Sequence, residues 1–77
     1  MELYFYEDCE FCQAVFETIE KLKIKEKFTF KDIRVNPDYA KELNDLTGNV
    51  TVPCLVHEQG PMKEAKVIQK YLVSHFD

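Results

Sequence analysis

The chain has no tryptophan, only two glycines and three prolines among 77 residues. That leaves no low-complexity tract, internal repeat or linker to describe. With 45% apolar and 31% charged residues, the composition is that of one small globular domain. Long apolar runs are missing as well. The longest, 3–6 and 52–56, fall far short of the roughly 20 residues that cross a bilayer, so no membrane segment is expected. Nor is a secretory leader expected: Met1 runs almost directly into Glu2-Leu3-Tyr4-Phe5-Tyr6, without a basic start and an apolar stretch behind it. Ten Lys and Arg against 14 Asp and Glu give a net charge of −4 with no basic block. Such a surface does not track phosphates, and nucleic acid is excluded as a partner.

What is present is three cysteines. An odd number without a leader suits the reducing cytoplasm, where structural disulfides are rare, so a disulfide scaffold is not expected. Two of them form Cys9-Glu10-Phe11-Cys12. At a helix start, residues three apart share a face, so the two sulfurs can close a small disulfide ring or share a metal ion. Redox chemistry and zinc are the two readings this spacing opens.

Along the chain, 2–6 is an apolar, aromatic run without strict alternation, which predicts a strand buried on both faces. From about 10 to 23, Phe11, Cys12, Val15, Phe16, Ile19 and Leu22 recur at the three-and-four spacing of an amphipathic helix. Residues 23–27 read as a solvated connection, and 28–33 alternates like a second strand. Asn36-Pro37 signals a helix start, Ala40, Leu43 and Leu46 mark its inner face, and Gly48 is placed to end it. Residues 52–56 predict a third strand with Pro53 at its first residue, where a missing N–H does least harm. Gln59-Gly60-Pro61 is a turn, 61–63 a short edge strand, and 64–76 a last helix with Ala65, Val67, Ile68, Tyr71, Leu72 and Phe76 on its core side. The predicted class is α/β, a four-stranded mixed sheet with three helices in the order β-α-β-α-β-β-α.

A Cys-x-x-Cys between a first strand and a helix, within a β-α-β pattern, is a thioredoxin-like redox signature. Unpaired N–H groups and the positive end of the helix dipole stabilise a thiolate at the first cysteine. Cys9 is therefore the expected nucleophile. Cys12, a turn further in and on the core-facing stripe, is the thiol that resolves a mixed disulfide.

With Cys9-Glu10-Phe11-Cys12 after Leu3-Tyr4-Phe5-Tyr6, and Thr51-Val52-Pro53 some forty residues later, the chain resembles a glutaredoxin of the thioredoxin fold. Val52-Pro53-Cys54-Leu55-Val56, Glu64-Ala65, Ile68 and Tyr71-Leu72 are also similar to the N-terminal glutathione-binding domain of glutathione transferases. The likeness covers essentially the whole chain, implying a single glutaredoxin-like domain over 1–77. It implies a cis proline at Pro53 and a backbone platform at Val52 that pairs with the cysteinyl part of glutathione as an added strand. It places the γ-glutamyl end of glutathione at the start of the last helix, where Glu64 meets the ammonium. Ala65 stands where the transferases usually carry Ser, and one lost hydroxyl hydrogen bond weakens affinity by about 1 kcal/mol. The implied activity is glutathione-dependent reduction of protein disulfides or glutathionylated thiols by a monomer, with glutathione as co-substrate and no tightly bound cofactor. A transferase proper adds a helical domain for its second substrate and is not expected from 77 residues.

Three other readings remain beside this one. Cys54 and His57 have ligand-like spacing, and with Cys9 and Cys12 would complete a Cys3His zinc site; in a strand, however, positions three apart point to opposite faces, so no metal site is expected. A thioredoxin-reductase-dependent small redoxin fits the same cysteines, as does a non-enzymatic iron-sulfur carrier, against which the second cysteine counts. Cys54 reads as a small buried hydrophobe, His57 and His75 as surface or packing residues. Phe11 reads either as a substrate-contacting residue in place of the family's Tyr or as a plain core residue of the first helix.

Glutaredoxins commonly carry Pro and Tyr between the cysteines and a basic residue before them, whereas here Glu7, Asp8 and Glu10 surround Cys9. Those carboxylates oppose a thiolate, and they repel glutathione, whose net charge is about −1. A less stabilised thiolate disfavours the dithiol form. The expected reduction potential therefore lies below the roughly −200 to −230 mV of glutaredoxins. Equilibration with defined glutathione buffers measures it, and a value at or above about −200 mV overturns this expectation.

Overall fold

The computed structural model describes residues 1–76. Four strands, β1 (Glu2–Phe5), β2 (Thr29–Asp32), β3 (Cys54–His57) and β4 (Gly60–Met62), form one sheet in the spatial order β2-β1-β3-β4. Three helices, α1 (Glu10–Leu22), α2 (Pro37–Thr47) and α3 (Ala65–Phe76), complete the predicted order. β1 runs parallel to β2 and antiparallel to β3, which pairs antiparallel with β4. This mixed sheet flanked by three helices is the thioredoxin-fold arrangement.

The pleat of β1 explains why its sequence does not alternate. Leu3 and its cross-strand partner Leu55 enter a core with Val15 and Ile19 of α1 and Ile68 and Leu72 of α3. Tyr4, one residue on, points to the other face and packs with Leu43 of α2 and Cys54. Both faces are thus apolar, α1 and α3 covering one and α2 the other. On the first face Phe5, Phe16 and Phe30 add edge-on and tilted ring contacts at centroid distances of 4.9 to 6.2 Å.

Local signals set most helix ends. Cys9 caps α1, and the left-handed Lys23 closes it with its N–H turned back to Ile19 and Glu20. The Asn36 side chain accepts the Asp38 N–H at 3.0 Å ahead of Pro37. Gly48 takes φ 85° and donates its N–H to the Asn44 carbonyl at 2.8 Å, a conformation any side chain would strain.

Several expectations need correcting. Residues 23–27 are more than a solvated connection, because Ile24 is buried and a short 3-10 turn, Lys25–Lys27, follows it. β3 begins at Cys54, leaving Val52 and Pro53 ahead of the strand, and β4 sits one residue earlier than expected. Leu46 and Val67, assigned to inner faces, are half exposed. Leu46 lies about 60° from Leu43, the buried residue of α2, and Val67 roughly 120° from the line through Ile68 and Leu72 in α3; helical spacing alone does not fix where that line falls.

A polar cluster that the sequence did not announce fastens α2. The Lys31 ammonium, on β2, bonds Glu42 of α2 at 2.8 Å and Glu2 of β1 at 3.1 Å. The Tyr4 hydroxyl donates to the same Glu42 oxygen at 3.1 Å. Burial, then this contact, pushes the Tyr4 hydroxyl up to about 12, while the ammonium holds the Glu42 carboxyl below its usual range.

The doubly covered centre of the sheet gives a direct stability test. Leu55→Ala is expected to cost about 3 kcal/mol through lost burial and an unfilled cavity. In a domain of this size that lowers Tm by more than about 10 °C, readable by thermal denaturation followed by circular dichroism.

Candidate functional site

After β1 the chain turns through Tyr6, Glu7 and Asp8, and the Cys9 N–H returns to the Tyr6 carbonyl at 3.3 Å. Cys9 is extended, at φ −90° and ψ 115°, and occupies the N-cap of α1. Its Sγ accepts the N–H of Cys12 at 3.4 Å, satisfying one of the N–H groups that a helix start leaves without a partner. Both sulfurs are free thiols, yet their surroundings differ. Cys9 keeps 7% of its surface exposed, whereas Cys12 has none. Burial, followed by the contact with Cys9, pushes the Cys12 thiol up to about 12. Both are buried, but only Cys9 keeps a small accessible surface, and Cys12 is held as a neutral thiol.

The acidic rim around Cys9 is less uniform than its sequence implies. Asp8 forms an ion pair with Arg34 at 3.0 Å, and that guanidinium lies 4.0 Å from the centre of the Tyr6 ring. Arg34 is positioned by Asp32, whose carboxylate accepts the backbone N–H groups of Arg34 at 2.9 Å and Val35 at 3.1 Å. Glu7 and Glu10 are exposed and make no ion pair among the described residues. Two full negative charges and one offset charge thus border Cys9.

Beside the cysteines a groove of about 410 Å³ gathers all five residues expected to contact glutathione: Phe11, Val52, Pro53, Glu64 and Ala65. The Val52-Pro53 peptide bond is cis. Phe11 is 68% exposed, which corrects its assignment to the inner stripe of the first helix: it lies about 100° before Cys12, on the groove side of α1. Neither cysteine lines the groove itself; they adjoin it through Phe11, which stands between them in the chain. Lys63, Lys66 and Gln69 also line it, and the sequence reading passed them over. The only signal for the two lysines is that they bracket Glu64-Ala65. Gln69 holds the base of the groove, its amide donating from α3 to Ala14 O at 3.1 Å and Thr18 Oγ1 at 3.0 Å on α1.

The remaining candidates lie elsewhere. Cys54 is fully buried on the α2 side, its thiol raised by burial. His57 and His75 each stack on the Tyr71 ring, with centroid distances of 4.7 and 5.3 Å. Among the described residues no three His, Cys, Asp or Glu side chains come together to hold a metal ion. Among them also, no helix is long and apolar enough to cross a membrane.

Residues 3–77 match the family model described as glutathione S-transferase, N-terminal domain. Among solved structures the chain is similar to the crystal structure of a glutathione S-transferase domain-containing protein from Marinobacter aquaeolei VT8, with a TM-score of 0.79 and 20% identity. That alignment covers 100% of this chain and 39% of the other, so the chain spans well under half the length of that relative. At this identity the likeness establishes the fold. No curated protein matches the sequence.

The unequal cysteines give a chemical test. A thiol raised to about 12 holds only about 1 part in 10⁴ as thiolate at pH 8. Iodoacetamide applied to the native reduced protein is therefore expected to label Cys9 first, at least about tenfold faster than Cys12 or Cys54. Peptide mass spectrometry over time reads the order, and equal labelling of all three would contradict it.

Proposed function

The chain belongs to the glutathione S-transferase N-terminal domain family, and from that premise we propose that it is a glutathione-dependent dithiol-disulfide oxidoreductase. The observation that carries this reading is a thiol pair at a helix start, Cys9 with a small accessible surface and Cys12 with none, beside the groove where Phe11, Val52, Pro53, Glu64 and Ala65 converge. Its substrates are protein disulfides and glutathionylated thiols, and glutathione is the electron donor.

The Cys9 thiolate attacks one sulfur of the substrate disulfide, so that a new S–S bond forms as the old one breaks, and the departing thiolate takes a proton from water. Burial does most to hold Cys12 protonated, and its contact with Cys9 comes next. Bonding of Cys9 removes the second of these and leaves the first. Cys12 then loses its proton to solvent and attacks the Cys9 sulfur, closing the Cys9–Cys12 disulfide and releasing the second substrate thiol. A first glutathione opens this ring and becomes bonded to Cys9; a second removes it as oxidised glutathione, restoring both thiols. Val52 and Pro53 form the platform for the cysteinyl part, Phe11 supplies apolar contact, and Glu64 and Ala65 receive the γ-glutamyl end.

The exposed, unpaired Glu7 and Glu10 favour one second reading, a small redoxin served by thioredoxin reductase. A hydroxyethyl-disulfide assay separates the two. Turnover with glutathione and glutathione reductase is expected, and inactivity there with turnover by thioredoxin reductase rejects the glutathione reading. Cys9→Ser should reduce all exchange by at least about a hundredfold, whereas Cys12→Ser should retain deglutathionylation and slow protein disulfide reduction. Equal loss in both activities for the Cys12 variant would overturn the assignment of roles.

A further inference from the structure

The buried side chains through which α1 and α3 meet are apolar, and apolar contact is non-directional: it holds the helices together without fixing how far one slides or turns against the other. Among the described residues, Gln69 supplies the hydrogen bonds that cross this seam. From α3 its Nε2 donates to the Ala14 carbonyl at 3.1 Å and to Thr18 Oγ1 at 3.0 Å, both on α1. The Thr18 hydroxyl in turn donates to the same Ala14 oxygen at 3.3 Å. Both amide protons and the hydroxyl proton are thereby used. A carbonyl only accepts, so the amide can face α1 in one way only. Such bonds weaken steeply with misalignment, and this triangle therefore favours one rotation and one axial position of α1.

The triangle sits where the groove and the thiols meet. Phe11, Ala14 and Thr18 follow at three- and four-residue spacing on one face of α1, and Phe11 and Ala14 line the groove together with Gln69. Ala14 is two residues past Cys12, about 3 Å along the helix axis, and Cys9 caps the same helix. On the other side Gln69 is one turn past Ala65, so the α3 wall of the groove is pinned to α1 at its own edge. A small slide of α1 would therefore move Cys9 against a ligand seated in the groove while leaving the thiol itself unchanged. Thiol exchange needs the attacking, central and leaving sulfurs nearly in line, and a misplacement of about 1 Å can cost on the order of a hundredfold in rate.

We propose that Gln69 is a positioning residue for thiol exchange: acting through Ala14 and Thr18, it fixes α1 so that the Cys9 sulfur meets a disulfide seated in the groove. This rests on the glutathione reading above and deepens it.

Capture of oxidised glutathione by the reduced protein, followed by quenched-flow mass spectrometry, tests the assignment. A Cys12→Ser background stops the reaction once Cys9 is bonded to one glutathione and the other has left as its thiolate. Hydroxyethyl disulfide undergoes the same exchange at Cys9 with no peptide to fill the groove, and serves as the reference. Gln69→Met keeps the length of the side chain and removes its donors. It is expected to slow capture of oxidised glutathione by about fivefold to thirtyfold and that of hydroxyethyl disulfide by less than about twofold. Thr18→Val breaks the triangle from α1 and should show the same pattern at part of the size, whereas Thr18→Ser keeps the hydroxyl and should stay within about twofold of the unsubstituted rate. Gln69→Met combined with Thr18→Val should be no slower than Gln69→Met alone, because both remove one shared contact. Equal slowing of both disulfides, no slowing of either, or additive losses in the combined variant overturns the assignment while leaving the glutathione reading in place. If the protein with Gln69 and Thr18 intact captures oxidised glutathione no faster than hydroxyethyl disulfide, the glutathione reading falls, and this inference with it.

Discussion

The seam between α1 and α3 over the middle of the sheet is what the rest of the molecule depends on. Val15 and Ile19 from one helix and Ile68 and Leu72 from the other close over Leu3 and Leu55, and all six are almost wholly out of water. All three cysteines are free thiols, so no covalent staple supports the described residues, and apolar burial carries the stability. The seam also fixes the rotation of α1. Turning that helix by one residue would carry Phe11 into the core and Cys12 out of it. Gln69, bonded to both Ala14 and Thr18 across the seam, keeps the two helices in register where the groove begins.

The two faces of the sheet are held by different physics. The α1 and α3 face is apolar and aromatic, and it ends at the cysteines and the groove. The α2 face has a smaller apolar patch around Tyr4, Leu43 and Cys54, backed by the Lys31, Glu2 and Glu42 cluster. α2 is tied down largely at its Glu42 side, and Cys54 is buried beneath it, whereas Cys9 caps and Cys12 lies in α1, which covers the other face. Packing on one side and charge pairing on the other let a very small sheet carry three helices.

How much of this was legible depended on range. Signals that act within one or two turns read correctly: the Asn36-Pro37 start of α2, its Gly48 stop, and Cys9 placed between a strand and a helix. Helical periodicity identifies stripes without their exact angle, which is why Leu46 and Val67, expected on inner faces, stand half exposed, and why Phe11, readable as core or as substrate contact, is fixed outward only by the fold. Contacts between distant parts of the chain left no mark at all. Asp8 and Arg34 are 26 residues apart, and Tyr4 and Glu42 are 38 apart. Within the candidate site, the family resemblance led to the five groove residues, while Lys63, Lys66 and Gln69 join them only through folding.

Phe11 carries a consequence of its own. A ring left 68% exposed at the edge of a charged rim divides the timing of any encounter. The charges of Glu7, Glu10 and the Asp8–Arg34 pair act over several ångströms through solvent, so they govern how often a partner of suitable sign arrives, and added salt mutes them. The ring acts only on contact, by shedding its water, so it governs how long the partner stays, and salt hardly touches it. Arrival and dwell are thereby set by different atoms, and each can change without the other.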